Sequence, residues 1–97
     1  MKIRLTPRAL SEAKRLKIWW RENRPTAQDL FDEEMAAAVE EIRSMPTIGT
    51  LYSATLGTTV RRVLMPATRN HVYYAVHRNE VVVLSVWGAP RRRGPKL

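Results

Sequence analysis

The side chains able to do chemistry fall mostly in the second half of this 97-residue chain: Arg61-Arg62, His71, Tyr73-Tyr74, His77, Trp87 and the run Arg91-Arg92-Arg93. Guanidinium groups bind phosphates or carboxylates in a fixed, forked geometry. The two imidazoles are the only side chains whose unperturbed pKa lies near neutrality, which makes them the first candidates for a general base. A phenol can stack on a base or give up a proton. Residues this close together on a strand do not all meet, however. Arg61 and Arg62 are consecutive and face opposite sides of a sheet, and so do Tyr73 and Tyr74. His71 and His77 open and close one strand, too far apart to act on one phosphate, and a solvent-facing or turn position is expected for both. For Tyr73 a surface cross-strand contact is the simpler expectation, and for Tyr74 a place in the core.

Charge sharpens the picture. The chain carries a formal net charge of +8. Residues 46 to 97 hold eight basic side chains against Glu80 alone, a net of +7, whereas residues 1 to 45 are nearly balanced at +1. The excess is placed by position, which points to an anionic target or an acidic partner for the C-terminal half. There is no cysteine, and the histidines and carboxylates have no metal-ligand spacing, so neither disulfide, metal nor cofactor is expected. No apolar run approaches the length of a signal peptide or membrane helix, which predicts a soluble, cytoplasmic chain.

Elements must position these residues. Lys2, Ile3, Arg4 and Leu5 alternate as a short strand, and Thr6 followed by Pro7 signals the start of a helix. Ala9, Ala13, Leu16 and Trp20 give that helix an apolar stripe, and it ends near Asn23 because Pro25 disfavours a helical Arg24. Trp19 and Trp20 point about 100° apart, so one can be buried while the other stays partly exposed. Thr26, with Asp29 three residues on, suggests the cap of a second helix. Phe31, Met35, Ala38, Ile42 and Met45 form its buried stripe before Pro46 stops it. The rest reads as strands: Val60–Leu64, Val72–Val76 and Val81–Trp87, the last apolar enough to be buried on both faces. The prediction is one α+β domain over residues 1–97: an N-terminal strand, a two-helix antiparallel hairpin, and a mostly antiparallel curved sheet of about four strands. A basic tail, residues 89–97, is expected to be extended or mobile, since Gly94 and Pro95 argue against helix.

In this order and spacing the segments resemble the ParE/RelE superfamily of small bacterial toxins encoded beside an antitoxin. The resemblance rests on the Ala-containing first helix, the turn Ile42-Arg43-x-x-Pro46-x-x-Gly49, Val60-Arg61-Arg62-Val63-Leu64, and His71-Val72-Tyr73-Tyr74-Ala75-Val76. The ending Val83-Leu84-Ser85-Val86-Trp87-Gly88-Ala89 followed by arginines is similar to the ParE branch. It implies a type II toxin, associated with plasmid stabilization and growth arrest, that is neutralised by an antitoxin and inhibits DNA gyrase by protein contact. RelE-like members instead cut messenger RNA on the ribosome, which requires a base, an acid and cations around a pentacoordinate phosphate. For that chemistry the candidates here are Arg61, Tyr73, His77 and Arg91. Several RNase members carry a histidine or tyrosine near the position of Trp87, and an indole N–H cannot transfer protons at neutral pH. The contact reading therefore leads, with Arg61, Arg62, Trp87, Arg91, Arg92 and Arg93 for the target and Trp19 and Trp20 for the antitoxin. The rivals are the ribosome-dependent endoribonuclease and a basic nucleic-acid-binding module.

Overall fold

A computed structural model describes residues 1–55, 57–88 and 94–97. Strand β1 (Lys2–Leu5) leads into helix α1 (Pro7–Asn23), a 3₁₀ turn (Pro25–Ala27) and helix α2 (Leu30–Ser44). Four strands follow: β2 (Thr50–Thr55), β3 (Thr58–Met65), β4 (Asn70–His77) and β5 (Glu80–Gly88). The sheet has five strands in the order β1-β5-β4-β3-β2. The last four form an antiparallel meander, and β1 adds in parallel to the far side of β5, pairing Ile3 with Val81 and Leu5 with Val83. β5 is thus an interior strand, as its valine-rich run predicts, and Val81, Val82, Val83 and Val86 are all buried.

The first helix begins where the sequence places it. The Thr6 hydroxyl accepts from the Ala9 backbone N–H, and Pro7 occupies the first turn. The stripe Ala9, Ala13, Leu16 and Trp20 meets Phe31, Ala38 and Ile42 of α2 over Val72, Tyr74, Val81, Val83 and Val86. Three expectations need correction. The second helix starts at Leu30, not after Thr26: Pro25–Ala27 closes a 3₁₀ turn first, and the residue flanking α2, Asp29, makes no side-chain capping bond. Met45 lies past the helix end and is 57% exposed, so the buried stripe stops at Ile42. The sheet has a fifth strand, β2, whose sequence Thr-Leu-Tyr-Ser-Ala-Thr shows too little apolar periodicity to announce an edge strand.

Two carboxylates join layers. Glu12 on α1 is buried and accepts from the Ser85 hydroxyl at 2.7 Å and from the Val86 N–H at 3.1 Å. β1 is too short to pair with this part of β5, so Glu12 takes the Val86 N–H, a backbone donor that has no partner on β1. Glu34 on α2 accepts from Ala67 N, Thr68 N and Thr68 Oγ1, each at 2.8 Å. That grip ties the turn between β3 and β4 to the helix layer.

Candidate functional site

The sheet divides the candidate residues. Arg61 is opposite Tyr74 in the β3–β4 register, and Arg62 is opposite Tyr73, so one pair faces the helices and the other faces away. On the helix side the Tyr74 hydroxyl donates to Pro46 O at 2.7 Å and accepts from Gly49 N at 2.9 Å. The Arg61 guanidinium donates to Gly49 O at 2.9 Å. Three segments distant in sequence therefore close on one buried knot. Arg61 is half-buried within it and lines a cleft of about 270 Å³ together with Pro46, Thr47, Thr59 and Tyr74.

On the opposite face Tyr73 is fully buried, which corrects the surface placement expected for it. Tyr52 of β2 lies against it edge-on, with ring centroids 4.7 Å apart. The Arg62 guanidinium sits over the Tyr52 ring at 5.4 Å and reaches the Tyr73 hydroxyl at 3.5 Å. The C-terminal residues complete the cover. Tyr52 donates its hydroxyl to Pro95 O at 3.0 Å, Arg8 of α1 donates to Lys96 O, and Pro95 is buried. Residues 94–96 are therefore seated on the sheet and are not a loose end. Arg91, Arg92 and Arg93, with Ala89 and Pro90, lie outside the described residues. His71 is half-buried near Tyr73, not solvent-facing as expected, and burial, with Arg62 and Arg69 nearby, holds its pKa below the ordinary imidazole value. Burial likewise raises the Tyr73 phenol.

Of the set expected for RNA cleavage, the three members among the described residues, Arg61, Tyr73 and His77, are not brought together. Arg61 is on the helix side, Tyr73 is on the other, and His77 is exposed at the far end of β4, opposite Glu80. Among the described residues no group of three or more histidine and acidic side chains assembles as a metal site. No described helix is long and apolar enough to cross a membrane.

A second surface forms where α1 meets the end of β5. Trp20 is packed against the core, whereas Trp19 is 45% exposed, so the outward indole is Trp19. Trp87, 41% exposed, lines with Trp19, Leu16, Arg15 and Gly88 a groove of about 330 Å³. Beyond Trp19 the surface continues into a wider hollow of about 620 Å³ between Trp20, Arg24 and the turn Ala67–Asn70 that Glu34 holds. The Arg24 guanidinium lies 5.5 Å from the Trp19 ring centre. An apolar floor with a cationic rim suits a partner that presents apolar side chains beside acidic ones.

Sequence reasoning singled out Trp19 and Trp87 by residue type, and both are exposed. It missed Glu12, Tyr52 and Gly94, whose roles arise only from long-range contacts; a lone aromatic in a polar edge strand was the one visible sign of Tyr52.

Comparison with known proteins agrees with this architecture. The family described as the ParE toxin of the type II toxin-antitoxin system, parDE, matches residues 3–92. Among solved structures, a chain of the chromosomal ParDE toxin-antitoxin system from P. aeruginosa shares the fold with a TM-score of 0.66 at 13% identity. That match covers 93% of this chain and 97% of the other. No curated protein sequence gives a match. With nearly its whole length matched, the chain belongs to the ParE family of type II toxin-antitoxin toxins.

Proposed function

We propose that this toxin acts by protein contact on DNA gyrase, without a proton-transfer centre of its own, and that a cognate antitoxin silences it through the Trp19 groove. The observation that carries the reading is the division of Arg61, Tyr73 and His77 between two sheet faces and a strand end. A cleaving site needs its acid, base and cations within hydrogen-bond reach of one phosphate. A contact surface needs only complementary shape and charge. Trp87 and the arginines at 91–93 would face gyrase, with Arg62 contributing once the C-terminal residues move. Arg61, engaged with Gly49, would act mainly by holding β3 in place.

The antitoxin is expected to place apolar side chains against Trp19 and Trp87 and acidic ones near Arg15, Arg24 and Arg69. The edge of β2, which has no partner strand among the described residues and where Leu51 is exposed, offers a second place for an extended segment to add. In purified systems the toxin should block gyrase supercoiling or trap cleaved DNA and leave ribosome-bound message intact. Cut message with unaffected gyrase reverses the assignment in favour of the endoribonuclease. Affinity for generic duplex that falls steeply with salt, without growth arrest, would support the nucleic-acid-binding module.

A further inference from the structure

The cluster of Tyr52, Arg62, His71 and Tyr73 on the sheet face away from the helices has two unmet demands. Arg62 is charged, yet among the described residues its side-chain contacts are the Tyr73 hydroxyl and the Tyr52 ring, and no carboxylate reaches it. The residues outside the description, 56 and 89–93, include no acidic side chain. His71 Nδ1 is buried and has no hydrogen-bond partner among the described residues. Buried polar atoms in native proteins nearly always find partners, and an orphan calls for a missing ligand, water or ion. A guanidinium over one phenol, a second phenol in reach and an imidazole beside them are the donors that an oxyanion accepts from.

What covers the cluster is built to fit. A side chain at position 94 would put its Cβ 2.5 Å from the Tyr52 hydroxyl and 2.8 Å from that of Tyr73, so only glycine lies this close. Pro95 then presents its carbonyl to Tyr52, and Lys96 presents its own to Arg8. These carbonyls occupy donors with neutral oxygens and leave Arg62 without an anion.

We infer that Tyr52, Arg62, His71 and Tyr73 form a binding site for a phosphate-type oxyanion, and that Gly94–Lys96 is a strap that occupies the site in the toxin's resting state. Two sources share this chemistry: free phosphate and the backbone of a single-stranded nucleic acid, whose bases could stack on Tyr52. The site lies on a different surface from the Trp19 groove; it shares Arg62 with the proposed gyrase contact, but its anion binding is read without gyrase.

The test uses the full-length protein with Gly94→Val to lift the strap, and NMR titration of His71 with inorganic phosphate or a short oligoribonucleotide as the probe. The charged groups that bear on His71 are Arg62 and Arg69, and the Tyr73 phenol beside it is neutral, so a bound anion is the one added charge of opposite sign. Phosphate should bind the variant at least tenfold more tightly than the unaltered chain and move the His71 titration upward by about one pH unit, because a nearby anion favours imidazolium. Tighter binding of the oligonucleotide than of phosphate assigns the site to nucleic acid, and the reverse order assigns it to free phosphate. Adding Arg62→Gln to the strap-lifted protein should abolish both responses. Should Gly94→Val misfold, a chain ending at Arg93 serves in its place. A lifted strap with unchanged affinity and an unmoved His71 overturns the proposal, as does binding that survives Arg62→Gln.

Discussion

Tyr74 explains why the family-like segments travel together. Its hydroxyl joins the turn after α2 to β4 through Pro46 and Gly49, and Arg61 closes the same turn from β3. Gly49 is tolerated there for lack of a side chain: a Cβ would lie 2.7 Å from the Tyr74 hydroxyl and 3.0 Å from Arg62 O. Replacing Gly49 by Ala should therefore cost about 1–3 kcal/mol, as overpacking of a buried site does, read as a lower midpoint in urea. Glu34 is expected to contribute to acid sensitivity. Burial alone would raise its pKa, but bonds from Ala67 N, Thr68 Oγ1 and Thr68 N outweigh that and leave it below the ordinary value of 4.5. A carboxyl held lower in the folded state stabilises the fold above its unfolded pKa and loses that contribution as pH falls through the folded one. Glu34→Gln should thus cost about 1–3 kcal/mol at pH 7 and flatten the stability profile below pH 4.5, measured by urea unfolding across pH. An unchanged acid limb would show that Glu34 is not responsible for it.

Turns and edges decide how the elements meet. Arg78 and Asn79 both adopt left-handed backbone, with φ of 49° and 61°, in the two-residue turn between His77 and Glu80. That conformation suits Asn followed by Gly, so Arg78→Asn with Asn79→Gly should raise stability by about 1 kcal/mol, or roughly 4–8 °C in Tm for a domain of this size. No gain in a thermal melt would mean that the Arg78 stem makes a compensating contact. Much of this level was legible in the chain. The Thr6-Pro7 start, the Ala9-to-Trp20 stripe and the valine run of β5 each reflect a local rule that tertiary structure left in force. β2 was not legible, because an edge strand with one exposed side needs little apolar patterning. The start of α2 was misplaced because Thr26 fell into a 3₁₀ turn before helical geometry began. Glu12 and Tyr73 were beyond local rules altogether: the first is buried because β1 stops short, the second because Tyr52 and Gly94, 21 and 21 residues away in opposite directions, fold over it.

At the scale of the whole molecule, helices on one sheet face and Gly94–Lys96 on the other leave, among the described residues, an apolar, arginine-rimmed groove at the junction of α1 and β5. Trp19 is its more exposed indole, and exposed indoles of this kind often dominate interface energies. Trp19→Ala should leave the fold's melting temperature within a few degrees and weaken antitoxin binding by about 2 kcal/mol or more, roughly thirtyfold in Kd by calorimetry. Unchanged affinity would move the antitoxin to the β2 edge. The central claim is that toxicity needs contact and no cleavage chemistry. Its most direct test is to mix the purified toxin with purified DNA gyrase, without ribosomes or message, and follow association by analytical ultracentrifugation. The account predicts a stable complex that the antitoxin dissolves; no association with gyrase, together with new 5′ ends in message on toxin-treated ribosomes, would contradict it.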